Sequence, residues 1–151
     1  MHDRIIDAYL KDFVTQYGFV DLDEPTAFEH FVNYCVISKH HPDSFDPDDV
    51  SVGGDGDLGL DGVGILVNDH LALSAADVDY FKKSLRRLDA EFVFIQAKIS
   101  PRFEAADIGT FLFGVRQFFD REEPQPANQQ ILQLHATNRF CTSGDQNNTS
   151  H

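Results

Sequence analysis

GGDGDLGLDGVGILVN, residues 53–68, and EFVFIQAKI, residues 91–99, decide how this chain folds. Each reads as a core strand that carries polar groups a core strand should not carry. Asp61 stands among Leu60, Val63, Ile65 and Val67, and Gln96 and Lys98 follow Phe92, Val93, Phe94 and Ile95. Residues 58–67 have apolar side chains on both faces, as a central strand does, and 91–99 give the second core strand, stopped by Pro101. A strand over 50–52 and a glycine-rich turn over 53–56 precede them.

Outward from these strands, the spacing predicts helices. Ile5, Ile6, Tyr9, Leu10, Phe13, Val14 and Tyr17 recur every three or four residues, and Gly18 ends the run. Asp23-Glu24-Pro25 opens a second helix with the stripe Phe28, Phe31, Val32, Cys35 and Val36, beside which Glu29 falls. Residues 40–49 are an acidic, proline-containing loop. Ser74-x-x-Asp77 has the form of a capping box. The helix it starts runs through Leu88, with Val78, Phe81 and Leu85 inward and Lys82, Lys83, Arg86 and Arg87 outward. Residues 104–119 form a helix whose buried side is Ile108, Phe111, Leu112, Val115, Phe118 and Phe119. The predicted class is a mixed α/β layer, a small sheet flanked by helices. One domain over 1–121 is expected, followed over 122–151 by a linker (EEPQPANQQ), a last strand (ILQLH) and a disordered tail.

Composition narrows the function classes. With 42% apolar residues and 14 Phe in 151, the chain can build one core. No apolar run approaches 18 residues, so no membrane span is expected, and the charged start MHDRIIDAYLKDF is no secretory signal. Cys35 and Cys141 are far apart in sequence. Cys35 reads as a buried thiol, and a cytosolic compartment is expected. The net charge of −13 argues against a nucleic-acid partner, yet residues 82–121 hold eight Lys/Arg against five Asp/Glu. A basic edge on an acidic body and a solvated helix face both explain KKSLRR.

Alternate strand residues share a face, roughly 6.6 to 7 Å apart, so Gln96 and Lys98 are expected to point the same way. If the two strands are neighbours, Asp61 joins them at one end of the sheet. Mg²⁺ takes one or two carboxylates and keeps several waters. Asp61 would supply charge, Gln96 an amide oxygen and Ala97 a backbone carbonyl, with Lys98 near the attacking water or a phosphate. The plainer reading of each residue stays open: Asp61 as a turn residue before Gly62, Gln96 and Lys98 as a strand-end amide and a snorkelling lysine, Glu29 as a helix-surface acid, and Asp55 and Asp57 as turn acids. Other motifs fail on context. Gly54-x-Gly56-x-x-Gly59 opens a strand rather than a helix. Asp55-x-Asp57 lacks the Glu a calcium loop needs at its twelfth position, here Leu66. His30, Cys35, His40 and His41 have no common zinc spacing.

An acid on a strand, then a strand ending in Q-x-K, resembles the PD-(D/E)XK, or restriction-endonuclease-like, nucleases in their Mrr-type form. GDLGLDGVGILVN, FVFIQAK and IGTFLFGVRQFF resemble the N-terminal part of abortive-infection phage-resistance (AIPR) proteins, over roughly residues 25–120. Leu60 stands where that motif has its Pro. The resemblance implies a restriction-endonuclease-like core and a cytoplasmic Mg²⁺- or Mn²⁺-dependent endonuclease of phage defence acting on DNA, with RNA as the alternative substrate. It implies Asp61, Gln96 and Lys98 as catalytic residues, and Glu29, Asp61, Gln96 and Ala97 around the metal. A homodimer, and a further C-terminal region or partner, are also expected. The rival is a catalytically silent module that binds nucleic acid or protein.

Overall fold

The computed structural model describes residues 3–142 apart from 55, 57, 86, 121 and 126. The expectations for Asp55, Asp57, Arg86 and the tail over 143–151 fall outside these residues. Among the described residues the chain forms five α-helices and three strands: α1 Arg4–Tyr17, α2 Glu24–Ile37, β1 Gly62–Val67, β2 His70–Leu71, α3 Ala75–Ser84, β3 Ala90–Ile95, α4 Ala105–Phe119 and α5 Gln129–Thr142. None of the helices is long and apolar enough to cross a membrane.

Local chemistry sets most helix ends. Asp3 accepts the Ile5 N–H at 2.9 Å to start α1, and Gly18 closes it at φ 75°. Asp23 caps α2 through Thr26. The capping box forms as read: Asp77 N–H donates to Ser74 Oγ at 3.3 Å, and Ser74 N–H donates to Asp77 Oδ2 at 3.0 Å. The basic helix is shorter than expected, because Leu85 is already extended. Asn68-Asp69, with φ of 49° and 67°, makes a two-residue turn joining β1 to β2. Left-handed conformations at both positions match the right-handed twist of a hairpin.

The sheet is antiparallel in the order β2-β1-β3, with Gly62 opposite Ile95 and Val67 opposite Ala90. All six residues of β1 are buried. On one face Val63, Ile65 and Val67 join Phe92 and Phe94 and pack against Val78 of α3, Phe118 of α4, and Ile131 and Leu134 of α5. On the other, Val93 and Ile95 pack with Val32, Val36 and Ile37 of α2. Gly64 allows α2 this close: a Cβ there would lie 2.4 Å from Ile37 Cδ1. A ring cluster built on Phe13, with Tyr17, Phe19, Phe31 and Tyr34 around it, fastens α1 to α2. Hydrogen bonding with the Tyr34 hydroxyl, which favours the neutral phenol, pushes the Tyr17 hydroxyl up to about 12.

Four expectations are corrected. The strand predicted for ILQLH is part of α5. Its alternation over five residues mimicked a strand, but the buried positions Ile131, Leu134, His135 and Asn138 recur at helical spacing, and Asn128 Oδ1 accepts the Ile131 N–H at 2.9 Å at the helix start. β1 begins at Gly62 rather than 58, since Leu58 and Gly59 adopt positive φ and turn the chain. β3 ends at Ile95 rather than Ile99. Cys35 is exposed rather than buried, because α2 turns Asn33 and Ile37 to the core.

α4 also departs from its predicted orientation. Phe118 is buried and Phe111 and Val115 are half-buried, but Ile108, Leu112 and Phe119 are 47%, 58% and 46% exposed. The helix packs through Gly114, over which the Leu58 carbonyl sits so closely that a Cβ would lie 1.9 Å from its oxygen. That contact rotates part of the apolar stripe into solvent.

Candidate functional site

Asp61 occupies a bend one position before β1, where three elements hold its backbone. Its N–H donates to the Ile95 carbonyl at 2.9 Å, and its carbonyl accepts from Val52 N–H at 3.0 Å. Asn33 Nδ2 of α2 also donates to that carbonyl, at 2.8 Å, and to Ser51 Oγ at 3.2 Å. Asn33 is fully buried, and among the described residues its Oδ1 has no hydrogen-bond partner. It fits only because Gly62 has no side chain, since a Cβ there would lie 2.3 Å from Oδ1. The Asp61 carboxylate turns to the end of β3, where Oδ2 accepts the Ala97 N–H at 2.6 Å. A hydrogen bond to a charged group contributes roughly 1.5–3 kcal/mol, enough to fix the carboxylate beside the Gln96-Ala97-Lys98 segment.

The turn before Asp61 is braced from behind. The Gly56 carbonyl accepts Asn128 N–H at 2.9 Å, Leu58 rests on Gly114, and Gly59 faces the Thr110 methyl. Glu29 lies one helical turn before Asn33 on α2 and is half-buried. Its Oε2 would be 2.9 Å from a Cβ on Gly53, the residue after Val52. Glu29 therefore faces the glycine-rich segment, close to where Val52 pairs with Asp61.

Gln96 and Lys98 part company. Strand periodicity stops at Ile95, so nothing imposes the common direction expected of them. Gln96 lines an open groove of about 470 Å³ between α2 and α4, with Val32, Val36, Phe103, Ile108 and Leu112 among its walls. Lys98 lines a separate hollow with Ile6 and Leu10 of α1 and Phe28 of α2. Its Nζ is ion-paired with Asp107 of α4, both side chains being about a third exposed. The hydrogen bond from Lys98 holds the Asp107 carboxyl below the usual carboxylate range, and the Glu104 N–H adds to this.

Other cations of the predicted basic edge are also engaged. Lys82 Nζ donates to the Phe140 carbonyl at 2.6 Å and sits 4.4 Å from the centre of that ring. Lys83 pairs with Asp79 at 2.7 Å, and Arg87 Nε lies 3.3 Å from Asp89.

Sequence reading missed Asn33 and Asp107. Asn33 had a detectable signal, a polar residue four positions after Glu29 and next to the apolar Val32. Asp107 had none, because its pairing with Lys98 depends on how α4 docks.

Among the described residues no group of three or more His, Cys, Asp or Glu side chains is placed to hold a metal. Two carboxylates are compatible with Mg²⁺, which retains waters on its other positions. The donor set of Asp61, Glu29 and the Gln96 amide therefore has the right chemistry for a hard cation. Compared with family models, with curated proteins and with solved structures, the chain matches none.

Proposed function

We propose that this chain is a divalent-metal-dependent endonuclease domain that hydrolyses phosphodiester bonds in DNA, in the service of phage defence. The observation that carries the reading is the Asp61 carboxylate anchored on the Ala97 N–H at 2.6 Å. An acid just before β1 is thereby fixed against the Gln-x-Lys segment that follows β3. Glu29, facing the same glycine-rich segment, adds the second acid.

In this reading Asp61 and Glu29 hold Mg²⁺ or Mn²⁺, with the Gln96 amide and the Ala97 carbonyl as neutral oxygen donors. The ion supplies Lewis acidity and a bound water of lowered pKa. Lys98 is the positive group for the attacking water or the phosphate. It must first exchange Asp107 for that role, so Asp107 keeps the lysine parked on α4 until substrate competes for it.

A second reading has an observation of its own. The pairing of Lys82, Lys83, Arg87 and Lys98 with groups of the chain itself favours a non-catalytic module that binds a nucleic acid weakly or binds a protein. Digestion of DNA and RNA side by side, with Mg²⁺, Mn²⁺ or EDTA, separates the two. The nuclease reading expects metal-dependent cleavage that falls at least about a hundred-fold in Asp61→Asn and Lys98→Ala, the scale of losing a charge-stabilising group. Equal cleavage by all three proteins, or binding without cleavage under either metal, overturns it. Preference for the RNA substrate would move the assignment to an RNA nuclease with the same site.

A further inference from the structure

α4 is apolar nearly all round, yet only one side of it is covered. Gly114 and Phe118 face the core, with Phe111 and Val115 half-buried beside them. The opposite arc, read from the 100° step of a helix, carries Ala105, Ile108, Gly109, Leu112, Phe113, Arg116 and Phe119, all exposed. A helix that is hydrophobic on every side belongs inside a protein or an assembly. Phe103, Ile108, Leu112, Phe113 and Phe119 are between 46% and 59% exposed. At about half of roughly 200 Å² each, they present on the order of 500 Å² of apolar surface, near the upper end for a lone monomer.

We infer that this arc of α4 is the contact face of a homodimer, formed by two copies of the chain with their α4 helices antiparallel. Charge selects the occupant. The chain carries −13, so two copies repel one another over most of their surface. The exposed arc of α4 holds no acidic residue, and its single charge is Arg116. An antiparallel crossing centred between Thr110 and Phe111 places Leu112 over the partner's Gly109, Phe113 over the partner's Ile108, and Arg116 over the partner's Ala105, next to an acidic residue at position 104. Gly109 suits that role, since a Cβ built on it meets nothing within 4 Å in its own chain. It leaves a notch in the helix surface where a leucine fits.

Size agrees as well. A standard interface takes about 800 Å² from each partner. The exposed apolar side chains supply on the order of 500 Å² of that, and the adjoining groove walls, Val32 and Val36 of α2, lie where they can supply more. Gln96, a donor in the metal reading, lines the groove beside this face, but the contact itself rests on the side chains of α4, and its failure would leave that reading standing.

Sedimentation velocity over about 1 to 100 µM, the range in which weak and standard interfaces dissociate, tests the inference. The expected mass rises with concentration to twice the 17.0 kDa of one chain. Leu112→Glu and Phe113→Glu remain monomeric, while Tyr80→Glu, at an exposed position on α3, associates like wild type. Gly109→Arg guards against misfolding: it has open space in its own chain and gains helix propensity, so at about micromolar concentration or below, where association does not contribute, it melts no lower than wild type, yet it fills the notch and stays monomeric at higher concentration. Wild type remaining at 17.0 kDa throughout, or association undiminished in Leu112→Glu and Gly109→Arg, overturns the assignment.

Discussion

Two glycines of one helix should respond to the same substitution with opposite signs. In α4, Gly109 faces solvent and Gly114 faces the Leu58 carbonyl. Replacing a helical glycine by alanine removes unfolded-state freedom and is favourable by about 0.8–1 kcal/mol when nothing is in the way. Gly109→Ala meets nothing within 4 Å and should gain that amount. At Gly114 the new Cβ would stand 1.9 Å from Leu58 O and 3.0 Å from Leu58 C. These are backbone atoms and cannot swing aside like a side-chain end, so helix and turn must separate by more than an ångström. Overpacking of this kind typically costs about 1–3 kcal/mol, which exceeds the propensity gain. The propensity gain is common to both, so the two variants should differ by the overpacking cost, roughly 1–3 kcal/mol, or on the order of 2–12 °C in Tm for a chain of this size. Thermal or urea unfolding at micromolar concentration or below, where association does not contribute, measures both. Gly114→Ala at or above the wild-type midpoint would refute the packing of α4 on the glycine-rich turn, and with it the bracing of Asp61.

Two further perturbations probe the site from either side. Asp107→Asn removes a carboxylate whose folded pKa lies below its usual 3.8, so the stability it contributes is present above that pH and lost as pH falls through the lower folded value. The gap in urea midpoint between wild type and Asp107→Asn should be constant from about pH 5 upward and close under stronger acid; a gap that persists at about pH 2, or never exists, breaks the Lys98–Asp107 assignment. Asn33→Ala deletes the side-chain donor to the Asp61 carbonyl, so stability should fall by about 1–2 kcal/mol and the unfolding midpoint with it, the loss partly offset by removal of a buried acceptor that has no partner among the described residues. An unchanged midpoint would mean that Asn33 does not hold Asp61.

Much of the helical framework was legible because its signals are local. Asp23-Glu24-Pro25, Ser74-x-x-Asp77 and Gly18 act on the few residues beside them, and the caps formed as read. The sheet was legible in part: β1 and β3 pair, but their lengths were set by Leu58, Gly59 and the departure of the chain after Ile95, none of which strand periodicity reports. α5 is hidden in sequence because ILQLH is too short for alternation to be told from a helical repeat, and the helix start depends on Asn128 accepting the Ile131 N–H. α4 shows a deeper limit. Its apolar positions are evident in sequence, but which arc is covered depends on the contact between Gly114 and Leu58, a relation between residues more than fifty apart. The same holds for the candidate site. Asp61 could be named from its apolar surroundings, whereas the Lys98–Asp107 pair arises only once α4 is docked.

The architecture of the sheet also sets how the molecule fails on heating. β2 offers only two residues at its side of the sheet, too little to recruit another chain. β3 is the other margin, and its AEFVFI is aromatic, β-branched and nearly uncharged. Once the helices loosen, such a segment docks onto its own kind, because the backbone groups turned away from β1 are ready to accept a foreign strand. Warming a concentrated solution therefore leads to insoluble cross-strand material, and only dilution leaves the melted chain time to find its way home.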